Sequence, residues 1–120
     1  MITTAGKNSV RNFLINDTPS SYDSVAVGTD GTVALVTQTA LGALDYGESA
    51  TKSEPSTFRV LFDMDFGTGD GTSGAVYKEI GLFTSSDGTG TMLSRLVITN
   101  TPNSVGVAYR FQYDIRVTWV

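Results

Sequence analysis

Residues Val107 to Val120 limit the possible folds more than any other stretch. Every odd position from Val107 to Trp119 is apolar or aromatic, and the even positions from Arg110 to Thr118 are polar or charged. A period of two sends side chains alternately to opposite sides of an extended chain. The pattern therefore predicts a β-strand with Val107, Tyr109, Phe111, Tyr113, Ile115, Val117 and Trp119 on one buried face. At ~3.4 Å per residue such a run spans roughly 40 Å, about twice the usual strand. A strand of that length is expected to outrun its own domain, with its last residues inside a sheet or against a neighbour.

The same period recurs in Thr57–Phe66, which puts Phe58, Val60, Phe62, Met64 and Phe66 on one face and Arg59, Asp63 and Asp65 on the other. Shorter apolar runs at Tyr22–Gly28, Ala75–Phe83 and Thr91–Ile98 read as further strands. Between them lie turn residues: Asp30-Gly31, the glycine-rich Gly67–Gly74, Ser85–Gly90 and Pro102–Ser104. Val33–Gly47 has mixed periodicity that fits a strand, a short helix or an ordered loop, and the polar, proline-containing Glu48–Ser56 reads as a surface connection. Helical spacing occurs once, at Val10, Phe13 and Leu14, predicting a short helix over about residues 5–15 stopped by Asp17-Thr-Pro19. The expected fold is mainly all-β: an antiparallel β-sandwich or small barrel of 5–7 strands with one short N-terminal helix, in a single domain covering 1–120.

Composition narrows the chemistry. The chain has no cysteine, so disulfides, thiolate metal sites and cysteine nucleophiles are excluded, and no histidine, which removes the commonest general base and zinc ligand. A serine or lysine nucleophile would still need a base, and neither the lysines nor the glutamates are arranged to provide one. Nine aspartates leave a carboxylate pair formally available, but no spacing selects two of them. A formal charge of −4 disfavours a nucleic-acid backbone as partner. No apolar run approaches the roughly 20 residues of a membrane span, and the N-terminus lacks the layout of a signal peptide. The expectation is a soluble, non-enzymatic product of cytoplasmic synthesis with no cofactor.

Some clusters invite a ligand. Asp63, Asp65 and Asp70 could suggest calcium, yet their spacing matches no established loop, and the first two fall on the polar face of a strand. The glycine-rich turns lack the lysine ending of a phosphate loop. Tyr109, Phe111, Tyr113 and Trp119 could stack on sugars if exposed, but an aromatic stripe alternating with polar residues is better read as core or subunit interface. Arg59, Arg95, Arg110 and Arg116 are strand arginines, suited to carboxylates across an assembly contact or to solvent.

Taken in order, Gly6-Lys7…Val10-Arg-Asn-Phe-Leu14, Val25-Ala-Val-Gly-Thr29, Thr39-Ala-Leu-Gly42, Lys78-Glu-Ile-Gly-Leu-Phe83, Gly90-Thr-Met-Leu-Ser-Arg95 and the alternating last strand resemble a family of tailed-phage virion structural proteins. These occur as small stand-alone proteins and as N-terminal attachment domains of tail fibres and tail-collar proteins. The resemblance covers nearly the whole chain, and Glu79–Phe83 with Gly90–Arg95 are its most specific parts. One stretch departs from it: Ala43-Leu44-Asp45-Tyr46 stands where charged residues often follow the Thr-Ala-Leu-Gly element, so their contacts are not carried over.

The resemblance implies a virion component, assembled in the host cytoplasm, that joins other tail, fibre or capsid subunits and forms a homo-oligomer. Its expected place is the tail (baseplate, collar or fibre-attachment adaptor); with no shaft after Val120, a fibre would be a separate chain. A capsid decoration or turret protein is one alternative and a carbohydrate-binding module for host attachment another. The expected interface residues are Arg59, Glu79, Arg95, Tyr109, Arg110, Tyr113, Arg116 and Trp119. Gly81 is expected where a bulge, a backbone or a ring comes close, and Glu79 is expected to pair with Arg95, an idea that charge reversal at both positions would test.

Overall fold

The structure, a computed structural model, describes residues 1–16, 22–56, 59–85, 87–104 and 106–116, the side chains of 12–16 excepted. One helix, α1 (Thr4–Asn16), precedes seven strands: β1 (Ser24–Gly28), β2 (Leu44–Ser49), β3 (Thr51–Ser56), β4 (Arg59–Phe66), β5 (Val76–Phe83), β6 (Met92–Pro102) and β7 (Tyr109–Arg116). They form two antiparallel sheets, one in the order β2-β1-β5-β6 and the other in the order β3-β4-β7. This is the expected mainly β architecture.

The principal core lies between the sheets. Val25 and Val27 of β1 and Ile80 and Leu82 of β5 meet Phe62, Met64 and Phe66 of β4 and Tyr113 of β7. Phe66 sits at the centre of an aromatic cluster, edge-on to Tyr46, Tyr77 and Phe111, a geometry that brings ring edges to ring faces and adds to the gain from burial. Tyr109, Phe111 and Ile115 pack against this core, so the β7 stripe points inward as the alternation requires.

β1 is buried along its whole length, which an alternating strand cannot achieve with one face in water. The outer face of its sheet is covered too: Ala26, Phe83 and Met92 form a second, smaller core with Leu41 from the long β1–β2 connection. The N-terminus adds to this cover. Ile2 bridges to Ser94, and Met1 exchanges backbone hydrogen bonds with Arg95 at 2.9 and 3.0 Å, extending the sheet beside the first half of β6. Thr3 then caps α1. Its hydroxyl accepts the Gly6 amide at 3.0 Å and donates to the Met92 carbonyl at 2.5 Å, so one buried group starts the helix and ties it to β6.

Several expectations change. Glu48–Ser56 is not a loop: it supplies the end of β2 and all of β3, an exposed edge strand held to β4 by backbone pairing. An edge strand needs no apolar face and tolerates Pro55, so the sequence pattern could not reveal it. β7 begins at Tyr109, because Val107 follows the turn at Gly106 (φ +78°) and is exposed. Within the described residues β7 does not outrun its partner, pairing residue for residue with β4 from Arg59↔Arg116 to Phe66↔Tyr109. Val117 and Trp119 lie outside the described residues, as does Phe58. Val10, the first of the three apolar residues at helical spacing, is 46 % exposed.

Candidate functional site

The connection between β1 and β2, residues 29–43, crosses the outer face of the four-stranded sheet, and a buried ion pair holds it there. Glu79 on β5 and Arg95 on β6 are both fully buried, with Arg95 Nε donating to Glu79 Oε2 at 2.6 Å. Both carboxylate oxygens also accept backbone amides from the connection: Oε1 takes Ala43 at 2.8 Å and Asp30 at 3.4 Å, and Oε2 takes Gly42 at 3.0 Å. The guanidinium reaches the other half of the same segment. Nη1 donates to the Thr32 carbonyl at 2.9 Å and to Gln38 Oε1 at 3.4 Å, and Nη2 donates to the Asp30 carbonyl at 3.1 Å. A buried charge costs heavily unless paired and hydrogen-bonded, and this pair satisfies both conditions with the loop's own backbone.

Missing side chains let the loop come this close. A Cβ on Gly28 would lie 2.4 Å from the Ala43 carbonyl oxygen, and one on Gly42 would lie 1.8 Å from Asp30 Oδ2. Gly81, opposite Arg95 in the β5–β6 ladder, has the Phe83 ring over it, with Cε2 2.7 Å from where its Cβ would be. Of the three causes foreseen for Gly81, a nearby ring is the one found. Asp30 closes its own turn on the Thr32 amide and hydroxyl at 2.9 and 2.8 Å, and these bonds hold its carboxyl below the usual aspartate range.

The clamp presents an apolar tip. Val33, Leu35 and Val36 are 78, 56 and 42 % exposed, on a segment whose backbone is tied down at several points. Thr4 donates its amide to the Val36 carbonyl at 2.8 Å, and Gln38 exchanges bonds with Leu35 while accepting from Arg95. Flexible loops hide such side chains at little cost; one fastened this way keeps them in water, as interaction surfaces do.

The site unites Val25–Thr29, Thr39–Gly42, Glu79–Phe83 and Arg95, which are widely separated in sequence. Sequence reasoning reached Glu79, Gly81 and Arg95 but missed Asp30, Thr32 and Gln38. Asp30-Gly31-Thr32 signals only a turn, and nothing local indicates that its carbonyls meet an arginine more than 60 residues away. Ala43 and Asp45, between the Thr39–Gly42 element and the body of β2, also have partners. The Ala43 amide goes to Glu79, while Asp45 accepts from the Thr72 amide and hydroxyl and, at 2.7 Å, from the Tyr77 hydroxyl. Burial opposes ionisation of Asp45, but those three donors keep its carboxyl below the usual range.

The expected interface residues divide into three groups. Glu79, Arg95 and Tyr113 are enclosed by their own chain and cannot meet a partner unless the fold opens; Tyr113 bonds to Ser94 across the core. Arg59, Arg110 and Arg116 lie on the outer face of the three-stranded sheet and find carboxylates there. Arg59 Nε is 3.1 Å from both oxygens of Asp114, Arg116 Nη2 is 3.0 Å from Asp114 Oδ2, and Arg110 Nε is 2.8 Å from Asp65. Arg59 first, and then Arg116, hold the Asp114 carboxyl below its ordinary range. Tyr109 is half-buried and donates its hydroxyl to the Pro102 carbonyl at 2.6 Å; Trp119 lies outside the described residues.

The aspartates considered for calcium are also engaged within the chain, Asp63 with Gln112, Asp65 with Arg110 and Asp70 with the Gly67 amide. Among the described residues no cluster of acidic groups is arranged to hold a metal ion. No protein-family model matches the chain, and no curated protein matches it in sequence.

Proposed function

We propose that this chain is a non-enzymatic structural subunit of a tailed virus particle, acting in the tail as a baseplate, collar or fibre-attachment component and assembling as a symmetric oligomer. One observation carries this reading: the segments that resemble the virion family converge on a buried clamp whose effect is to hold an apolar loop in solvent. Glu79, the buried carboxylate of the site, has both oxygens occupied by donors that fix backbone. That arrangement favours a positioning role over proton transfer.

In this reading Val33, Leu35 and Val36 dock on a neighbouring virion protein. Their fixed geometry lowers the ordering cost of association. The inward-facing aromatics of β7 weigh against the sugar-binding alternative, because Phe111 and Tyr113 belong to the core region rather than to an open platform. Antibody labelling of intact particles, read by electron microscopy, tests the proposal. Label confined to the tail is the expected result. Label on capsid facets would move the subunit to a decoration role, and unlabelled particles would overturn the virion assignment.

A further inference from the structure

The sandwich is closed on one side and open on the other. On the closed side the chain passes directly from β2 to β3 through Ala50, stitching the two sheets together. On the opposite side β6 and β7 are the edge strands, and between them runs a groove of about 690 Å³ lined by Ile80, Leu96, Ile98, Tyr109, Phe111 and Tyr113 among others. Leu96 shows the consequence. It pairs with Ile80 on the core-facing side of its sheet, yet it is 44 % exposed where Ile80 is 5 % exposed. Among the described residues, nothing closes over this inward-pointing leucine.

The edges also differ in charge. Exposed strand edges invite pairing with other chains, and charges or proline normally blunt them. β2 carries Asp45 and Glu48, β3 carries Lys52, Glu54 and Pro55, and β7 carries Arg110, Asp114 and Arg116. From Leu96 to Thr101, β6 reads Leu-Val-Ile-Thr-Asn-Thr, with no charge and three apolar residues in succession. The N-terminal segment guards β6 only as far as Arg95.

We infer that Leu96–Thr101 of β6 is a homodimer edge, on which a second copy lays the same segment antiparallel about a two-fold axis. A two-fold contact sets a surface against itself, so an edge charged with one sign meets like charges whereas an uncharged edge does not. In a chain of formal charge −4 this strip carries no charge of its own to repel a second copy. The partner's backbone extends the four-stranded sheet, and its Leu96 and Ile98 enter the groove beside the half-buried Phe111. The inference rests on the oligomeric part of the proposed function and names the surface that carries it.

The absence of cysteine makes the test direct. Single cysteines are placed in the full chain at Val97, Ile98, Thr99 and Asn100 in turn, with Glu54→Cys on β3 as control, and the proteins are oxidised. A two-fold antiparallel contact brings one of the β6 positions opposite its own copy, so a covalent dimer is expected at one or two adjacent positions and not at residue 54. Sedimentation of Val97→Lys is expected to show dimer dissociation at least about tenfold weaker, since one substitution acts twice across the axis. An oligomer that resists Val97→Lys and forms no β6 cross-link would overturn the inference while leaving the subunit reading intact. A chain that stays monomeric at every concentration, with no cross-link, would overturn the inference and the homo-oligomeric part of that reading together.

Discussion

Arg95 Nε lies 2.6 Å from Glu79 Oε2, and neither side chain reaches solvent. The two residues are not equivalent halves of an ion pair. Glu79 also accepts amides from Gly42 and Ala43, and Arg95 donates to the carbonyls of Asp30 and Thr32. Glu79 is matched to amides of the loop and Arg95 to its carbonyls, and the two meet at Asp30. Removing one partner of such a pair costs about 3–5 kcal/mol, because the other is left charged and buried. Glu79→Gln and Arg95→Met are each expected to lower stability in urea by that order.

Charge exchange makes a sharper test of the same asymmetry. With Glu79→Arg and Arg95→Glu together, the arginine cannot accept the Gly42 and Ala43 amides, and the glutamate faces carbonyls. The double variant is expected to be no more stable than either single one. Recovery of wild-type stability would mean that the pair matters only to itself and not to the loop.

Gly81→Ala places a methyl group 2.7 Å from the Phe83 ring and 3.0 Å from Leu41 Cδ2, inside the smaller core. Overpacking of a filled core costs about 1–3 kcal/mol. A fall in unfolding midpoint of that order is expected, partly recovered by Leu41→Ala, which opens space on the same side.

Burial pushes the Tyr113 hydroxyl up to about 12, with its bond to Ser94 acting in the opposite direction. Unfolded tyrosine titrates near ~10. A folded-state value above the unfolded one means that the stabilisation is fully present below pH ~10 and is lost as pH rises through about 12. Tyr46 and Tyr77 are raised as well, by burial first and then by their carboxylate partners Glu48 and Asp45, and contribute with the same sign. Urea titrations across this window should show falling stability, and Tyr113→Phe should make the fall shallower. An unchanged slope would count against a buried Tyr113.

Leu35 is exposed on the tied-down loop, so Leu35→Asp is expected to leave the urea midpoint nearly unchanged while reducing incorporation into particles. Equal incorporation of mutant and wild type would remove the loop tip from the docking surface.

The strands with one wet face were legible from period two alone, as β4 and β7 illustrate. β3 was not, because an edge strand is held by backbone pairing that leaves no mark on side-chain pattern. β1 hid its second covered face for a related reason: Ala26 and Gly28 look like weak strand residues until the loop that lies on them is known. At the site, Glu79, Gly81 and Arg95 stood out because they lie in the two segments most specific to the resemblance. Asp30, Thr32 and Gln38 contribute through long-range contacts, partly through carbonyls that every residue has, so no local signal distinguishes them. For the strand arginines the residue type indicates carboxylate partners, and the chain itself supplies them to Arg59, Arg110 and Arg116, on the neighbouring strand or, for Arg116, two residues away.

Glu79 holds the loop through two of the loop's backbone amides, and hydrogen exchange at Gly42 and Ala43 measures that hold. Their N–H groups point at the Glu79 carboxylate at 3.0 and 2.8 Å, so in the wild type they should exchange as slowly as amides in the middle of β5. In Glu79→Gln they should exchange roughly a hundredfold faster, the equivalent of about 3 kcal/mol, while the β4–β7 amides change far less. Gly42 and Ala43 amides that exchange in the wild type at the rate of a free loop would mean that Glu79 does not hold it.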